Sequence, residues 1–204
     1  MKSYRVNNIF YSLQGEGRNT GRAAVFVRFA GCNLHCPFCD TKFDTFTEMT
    51  AEEIIEKINL LLPLGEVGTG LLIVLTGGEP TLQVDEAFVD LLHRQGFEVA
   101  MESNGTRPAP KNIDWLTVSP KQNEQLGINA RPDELKIVFD ENTDPQSFLL
   151  PLTSHLLPRY IYLQPCDTGD PVRNADIVKR CVHYIKQHPQ WRLSLQTHKL
   201  IGIE

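Results

Sequence analysis

Apolar positions along the chain follow two periods, one suited to strands and one to helices. Residues 24–29 form a compact apolar run that predicts a strand. Thr50-Ala51-Glu52-Glu53 is a capping box, with Thr50 as N-cap and Glu53 at the third helical position. The helix it opens carries Ile54, Ile58, Leu61 and Leu62 on one face and stops at Pro63. Residues 71–75 are continuously apolar, as in a strand covered on both faces. A second helix places Val84, Phe88, Leu91 and Leu92 on one side and ends near Gly96. Further strands are expected at 97–102, 115–118, 135–139, 160–163 and 192–196. A late helix begins near Asn174, shows an apolar stripe of Ile177, Cys181, Val182 and Ile185, and ends before Pro189. Alternation of strand and helix predicts an α/β fold with a parallel sheet, open or rolled. A closed eight-unit barrel needs about 250 residues, about 31 per unit. A chain of 204 residues therefore supplies roughly six units. The stretch 97–115 is too short for a full helical crossover, so a partial barrel with some shortened helices is expected. Neither repeats nor a Gly/Ser linker divides the chain, which reads as a single domain over 1–204.

Composition narrows the function. Hydrophobic residues make up 41% and charged residues 22%, which excludes a mainly disordered chain. The net charge of −5 argues against direct nucleic-acid binding through broad electrostatics. An anionic small substrate remains open, because one placed arginine can hold it. No apolar run approaches the roughly 20 residues that cross a bilayer, so no membrane partner is expected. The start of the chain lacks the apolar core of a secretory signal, which makes a cytoplasmic location the expectation. The five cysteines are an odd number, unsuited to a disulfide framework.

Three of those cysteines fall within Gly31-Cys32-Asn33-Leu34-His35-Cys36-Pro37-Phe38-Cys39-Asp40-Thr41, a C-x3-C-x2-C spacing just past the strand at 24–29. In parallel sheets that strand edge is where ligands bind. Ordinary buried thiols and a structural zinc site, with His35 or a remote residue as fourth ligand, are the plain readings. Zinc sites of this kind usually pair two close cysteine clusters, and Cys166 and Cys181 do not form a second one. The sharper reading is a four-iron cluster with three thiolate ligands. Its fourth iron then has an open site, which the amino and carboxylate groups of S-adenosylmethionine can occupy. An electron from a low-potential cluster could then break a carbon–sulfur bond of the sulfonium.

Other motifs support a ligand site without proving it. Thr76-Gly77-Gly78-Glu79-Pro80 follows the apolar strand at 71–75, where glycines permit close backbone approach and Glu79 supplies an anion. Arg28 interrupts an apolar strand and needs a partner, either a structural carboxylate or a substrate carboxylate. Leu13-Gln14-Gly15-Glu16-Gly17 by itself reads as a Gly-rich turn, and Cys181 as a core thiol on its helix stripe.

The cysteine spacing, the aromatic Phe38 before the third cysteine and the Gly-Gly-Glu segment resemble the radical S-adenosylmethionine superfamily. That resemblance implies a partial (β/α)6 barrel. Residues 10–17, the Arg28-to-Leu34 block, Cys39-Asp40-Thr41, Ser119-Pro120-Lys121, Gln164-Pro165 and Gln196-Thr197-His198-Lys199 are together similar to the 7-carboxy-7-deazaguanine synthase family, over nearly the whole chain. The resemblance implies that Cys32, Cys36 and Cys39 hold a [4Fe-4S] cluster. Phe38, Cys39, Asp40, Gly78, Glu79, Ser103, Asn104, Ser119, Pro120, Lys121 and the run Gln164, Pro165, Cys166 and Asp167 would bind S-adenosylmethionine. Leu13, Gln14, Gly15, Glu16, Arg28, Thr76 and His198 would face the substrate, and Thr41 would ligate Mg2+. The family also uses a terminal carboxylate, here that of Glu204 where a proline would be expected.

The implied activity is a carbon–nitrogen lyase reaction. 6-Carboxy-5,6,7,8-tetrahydropterin would undergo radical ring contraction to 7-carboxy-7-deazaguanine with loss of ammonia, in queuosine and deazapurine biosynthesis. Cys32, Cys36, Cys39 and Arg28 would carry the catalysis. An electron donor such as flavodoxin or ferredoxin and a homodimeric state are implied by analogy. Two rivals remain at this point. One is an activase that installs a radical on a protein partner and consumes S-adenosylmethionine. The other is a non-enzymatic zinc or iron–sulfur interaction module.

Overall fold

A computed structural model describes residues 2–39, 45–62, 70–121, 126, 132–150, 152 and 156–204. The elements in chain order are β1 (Ser3–Leu13), β2 (Ala23–Phe29), β3 (Thr47–Thr50), α1 (Ala51–Leu61), β4 (Leu72–Gly77), α2 (Glu86–Arg94), β5 (Glu98–Ser103), β6 (Trp115–Val118), β7 (Glu134–Phe139), β8 (Tyr160–Pro165), α3 (Pro171–Gln187), β9 (Arg192–Leu193) and α4 (Thr197–Ile201). Among the described residues the nine strands form one sheet in the order β3-β1-β2-β4-β5-β6-β7-β8-β9. From β2 to β9 every pairing is parallel, whereas β1 joins β2 and β3 antiparallel. The sheet does not close on itself among the described residues, which suits the partial barrel expected from the unit count. No helix intervenes between β5 and β6, as the short interval requires.

Strand alternation sorts the side chains into two layers. Outward, Val25, Val27 and Phe29 of β2, Ile73 and Leu75 of β4, Val99 and Met101 of β5, and Leu135 and Ile137 of β7 pack against the helices. The helices answer with Ile54 and Ile58 from α1, Phe88, Val89 and Leu92 from α2, and Ile177 and Cys181 from α3. Cys181 is fully buried, and burial pushes its thiol up to about 12, so it behaves as a core residue. Inward, Ala24, Leu72, Val74, Ala100 and Trp115 form a small apolar plug with Phe26 and Tyr160. Arg18 covers this plug, its guanidinium 5.1 Å from the Trp115 ring centre and 5.4 Å from that of Tyr160. Above the plug the inward positions turn polar, and there the cavity opens.

The expected elements are present, with shifts that have local causes. The Thr50 capping box is formed, Thr50 Oγ1 accepting from Glu53 N at 3.2 Å and Glu53 Oε2 from Thr50 N at 2.7 Å. Pro63, expected to stop this helix, lies outside the described residues. The late helix starts at Pro171 and not near Asn174, because Asp170 caps Val172 N and Pro171 fits the first helical position. Strand pairing at 192–196 is confined to Arg192–Leu193, since Ser194 turns toward Gln164 and α4 begins three residues later. β1 and β3 were not expected. In β1 the alternation breaks at a bulge between Val6 and Asn8. Tyr4 and Val6 join the helix-side core before it, and Phe10 stacks on inward-facing Phe26 after it, ring centres 4.9 Å apart.

Candidate functional site

The segment after β2 is fixed by backbone bonds before any side chain is considered. Ala30 N donates to Arg5 O at 2.9 Å, and Gln83 Nε2 donates to Ala30 O at 2.8 Å. From the end of β4, Gly78 N donates to Phe29 O and Glu79 N to Gly31 O, each at 2.9 Å. A Cβ on Gly78 would lie 1.9 Å from Gly31 O, so only glycine permits this approach. The two glycines expected to admit a ligand thus also admit the cysteine loop itself.

Cys32 and Cys36 are half-buried and Cys39 is exposed, and none of the three is in a disulfide. Cys39 N donates to Cys36 O at 3.1 Å and closes the turn between them. Cys32 Sγ accepts from Leu34 N at 3.4 Å and from Asn104 Nδ2 at 3.9 Å. Asn104 Nδ2 also donates to Asn33 Oδ1 at 3.0 Å, and Asn33 Nδ2 reaches Thr106 Oγ1 at 2.8 Å. The tip of β5 is thereby tied to the cysteine loop.

All three thiols line one cavity of about 520 Å³, a size usual for a small-molecule site. Among the described residues no three His, Cys, Asp or Glu side chains are gathered tightly enough to hold a metal ion. The donor set nevertheless suits an iron–sulfur cluster: three thiols on one short loop, facing an open cavity, with N–H donors at one sulfur.

Beside the loop, Phe38 is 39% exposed and Lys121 Nζ lies 5.7 Å from its ring centre. Lys121 Nζ also donates to Ser119 Oγ at 2.8 Å, and burial pulls its amino group below the usual lysine range. Gly78, Ser103, Asn104, Ser119, Lys121, Gln164, Pro165, Cys166 and Asp167 all line the cavity. Cys166 is buried, and that burial pushes its thiol up. Asp167 is held down to about 2, first by the Lys199 ammonium at 2.9 Å and then by Gly169 N and Asn174. Pro120 is buried and off the cavity wall. Asp40 and Thr41 lie outside the described residues.

Glu79 is also absent from the wall and is wholly buried. Its Oε1 accepts from Thr81 N at 3.0 Å, Thr81 Oγ1 at 2.6 Å and Ser103 Oγ at 2.9 Å, and its Oε2 from Asn104 N at 2.7 Å. In this structure the carboxylate organises the β5 tip that reaches Cys32.

The rest of the wall is built from β1, the inward layer and the chain's end. Leu13, Gln14, Gly15, Glu16, Arg28, Thr76, His198 and Glu204 all line it. Arg28 pairs in register with Thr76, and its guanidinium lies 5.7 Å from the Phe10 ring centre. Gly15 O accepts from Thr197 N at 3.1 Å and Thr197 Oγ1 at 2.9 Å, which seats α4 on the 13–16 turn. A Cβ at Gly15 would meet His198 Nδ1 at 2.2 Å, so glycine lets His198 reach the wall. Glu204 is tied back by Ser12 Oγ, 2.6 Å from its backbone oxygen, and by Asn8 Nδ2, 2.9 Å from Oε1.

Sequence reasoning missed four polar wall residues: Glu102, Lys136, Gln196 and Lys199. The signal for Glu102 and Lys136 was the one that singled out Arg28, a charge at an alternate position in an apolar strand. Gln196 and Lys199 carried no such signal and depend on α4, a five-residue helix without an apolar stripe.

Comparison with known proteins places this geometry in context. Residues 26–139 match the Radical SAM superfamily. The chain is 47% identical over 199 residues to the 7-carboxy-7-deazaguanine synthase of Bacteroides thetaiotaomicron, covering 98% of each chain. It is 43% identical to that of Bordetella pertussis, covering 98% of this chain and 99% of the relative. Among solved structures, the crystal structure of QueE from Escherichia coli superposes with a TM-score of 0.75 at 28% identity, over 95% of this chain and 93% of that one.

Proposed function

The chain belongs to the 7-carboxy-7-deazaguanine synthase family of the Radical SAM superfamily, and from that premise we propose how its cavity divides the work. Its reaction is the radical ring contraction of 6-carboxy-5,6,7,8-tetrahydropterin to 7-carboxy-7-deazaguanine with loss of ammonia, a step of queuosine biosynthesis. Its cofactors are a [4Fe-4S] cluster and S-adenosylmethionine. Cys32, Cys36 and Cys39 hold the cluster. When bound, the cluster supplies the electron that breaks a carbon–sulfur bond of S-adenosylmethionine and so opens radical chemistry at the substrate's C6.

The chain's own residues bind, orient and shield. Phe38 and Lys121 flank the cofactor site, with Gly78, Ser103, Asn104, Ser119 and residues 164–167 around it. Arg28 presents a planar fork to the substrate carboxylate. Gln14 and Glu16 read donors and acceptors along the pterin edge, a discrimination that is strong because a wrong ring leaves buried groups unpaired. Leu13, Gly15, Thr76, His198 and Glu204 complete the substrate wall. Thr41, which lies outside the described residues, would supply one hydroxyl ligand to Mg2+, with substrate and water oxygens as the others. Residues 1–204 act as one catalytic unit in the cytosol, as a homodimer reduced by a flavodoxin or ferredoxin, with no direct contact to nucleic acid. Among the described residues no helix is long and apolar enough to cross a membrane.

The observation that carries this reading is the shared wall: the three cysteines and Arg28 line the same cavity. Anaerobic reconstitution with iron and sulfide, followed by assay of the tetrahydropterin with and without Mg2+, tests it. The expected result is a brown protein that forms the deazaguanine and regenerates S-adenosylmethionine. A colourless zinc protein, or stoichiometric cofactor consumption that needs a protein acceptor, would refute it.

A further inference from the structure

The charged wall residues Glu102, Lys136 and Lys199 have no task in the scheme above, and Lys136 is the most deeply buried of them. Lys136 projects inward from β7, is only 4% exposed, and still reaches the cavity wall. Its ammonium pairs with Glu16 and, at 3.2 Å, with Glu102 of β5. The remaining charged neighbours are Glu134, two residues back on β7, and Lys121 beyond β6. Burial disfavours the charged form of Lys136, but the Glu102 and Glu16 charges hold it well above the usual lysine range. Burial also pushes Glu16 upward, yet the Lys136 charge and hydrogen bonds from Lys136, Gln196 and Gln164 overcome it and hold Glu16 below the usual carboxylate range. Burial raises Glu134 despite the Arg18 N–H bond and the more distant Lys136 charge.

The same cluster fixes the polarity of Gln14. Its Nε2 donates to Glu102 Oε1 at 2.9 Å while its Oε1 accepts from Glu16 N at 3.1 Å, so the amide cannot flip without losing both. Gln196 Nε2 donates to the other oxygen of Glu16 at 3.1 Å.

We propose that Lys136 is a positioning residue that clamps Glu16 and Glu102 side by side as acceptor-only carboxylates, and that Glu102 is thereby a second reader of the substrate's N–H edge. This rests on the pterin reading of the cavity. A tetrahydropterin presents its amino group and the N–H groups of both rings as donors, beside acceptors at N1 and the carbonyl oxygen. An ionised carboxylate has only lone pairs to offer, so one carboxylate meets two such donors and a second is needed for the rest. Without the Lys136 charge, two half-buried carboxylates facing one cavity would repel each other, which favours uptake of a proton by the pair and turns an acceptor into a donor.

The test uses reconstituted holoenzyme with S-adenosylmethionine and the tetrahydropterin, assayed between about pH 6 and about pH 9. Lys136→Met and Glu102→Gln should each raise KM about tenfold or more while kcat changes less than about threefold, because the lost contacts are made in the ground state as well. In Lys136→Met the KM should climb further as pH falls, whereas the parent enzyme should show no such climb. Cluster absorbance and S-adenosylmethionine affinity should match the parent. A Lys136→Met enzyme with the parent's KM and pH profile overturns the proposal, as does a fall in kcat at constant KM. If Lys136→Met does not fold, Glu102→Gln decides alone, and an unchanged KM overturns it. Failure of the parent holoenzyme to convert the tetrahydropterin would sink the pterin reading and this proposal with it, an outcome recognisable because no variant is involved.

Discussion

Replacing Glu79 by glutamine separates two roles for the Gly-Gly-Glu segment. The family resemblance makes this carboxylate a cofactor ligand. The structure shows it wholly buried and accepting four hydrogen bonds from Thr81, Ser103 and Asn104. Glutamine has the same shape, so Glu79→Gln leaves no cavity. Its amide can keep an oxygen toward Thr81 and Ser103, but its NH2 then faces Asn104 N–H, where Oε2 had accepted at 2.7 Å. The Asn104 N–H loses its acceptor and the new NH2 finds none, at about 1–3 kcal/mol for such an unsatisfied site, and the other bonds lose the strength that a charged acceptor gives, so the total is about 2–4 kcal/mol. For a chain of this size each kcal/mol lowers Tm by about 2–4 °C, which predicts a fall of about 5–15 °C. The assay is thermal unfolding of the protein without cluster or S-adenosylmethionine, beside cluster uptake on reconstitution. Cluster uptake should also fall, because the Asn104 side chain ties the β5 tip to Cys32 Sγ. An unchanged Tm with lost S-adenosylmethionine affinity would refute the structural role and leave Glu79 as a ligand alone.

Three further expectations follow from the site. Cys36→Ala should abolish both the brown chromophore and turnover, and retained activity on reconstitution would remove the cluster assignment. Arg28→Ala should weaken substrate binding by about 10- to 150-fold, the worth of a charge-assisted hydrogen bond, with cluster absorbance intact; titration of the substrate against the holoenzyme checks it. Asp167 sits at about 2 in the fold against 3.8 for an unperturbed aspartate, through Lys199 first. Its stabilisation is therefore present above about pH 4 and lost as pH falls toward about pH 2. The pair is half exposed and screened, so Lys199→Met should flatten that acid limb by less than about 1 kcal/mol in urea melts, and an unchanged acid limb would dismiss the pairing.

The parts of the fold written in short-range chemistry were legible from sequence. The Thr50 capping box, the apolar run of β4 and the alternation of β7 each specify their element locally. β1 was not legible because its bulge between Val6 and Asn8 moves the apolar residues from one face to the other, so no single period describes it. β3 is a four-residue strand that exists only because β1 offers it a partner. The site divides in the same way. Motif residues with a chemical signature, the cysteines and Arg28, were identified and do share a wall. Glu102 and Lys136 were passed over although each breaks an apolar strand as Arg28 does; their meaning emerges only when β5 and β7 are set two places apart in the sheet. Glu79 shows the opposite limit, since sequence places an anion at a strand end but cannot say that Ser103 and Asn104 will enclose it.

The polar layer of the cavity is held by the apolar layer behind it. Arg28, Thr76, Glu102, Lys136 and Gln164 stand at alternate positions of five parallel strands, and their immediate neighbours Val27, Leu75, Met101, Ile137 and Leu163 belong to the helix-side core. A strand has a side-chain period of two, so a slip of one residue would exchange the layers completely. For β7 such a slip would bring Leu135, Ile137 and Phe139 to the cavity and drive Lys136 into the helix interface. Exposing those three apolar side chains costs about 1.5–3 kcal/mol each, about 4–9 kcal/mol in all. That is comparable with the whole stability of an ordinary domain, about 5–15 kcal/mol, before the cost of burying an unpaired ammonium is added. The register that places a lysine between two glutamates is thus enforced mainly by leucine, isoleucine and phenylalanine on the opposite face. This is how a chain of net charge −5 can set Arg28 and the paired carboxylates of Glu16 and Glu102 on one cavity wall: local charge follows the parity of each strand, not the sum over the surface.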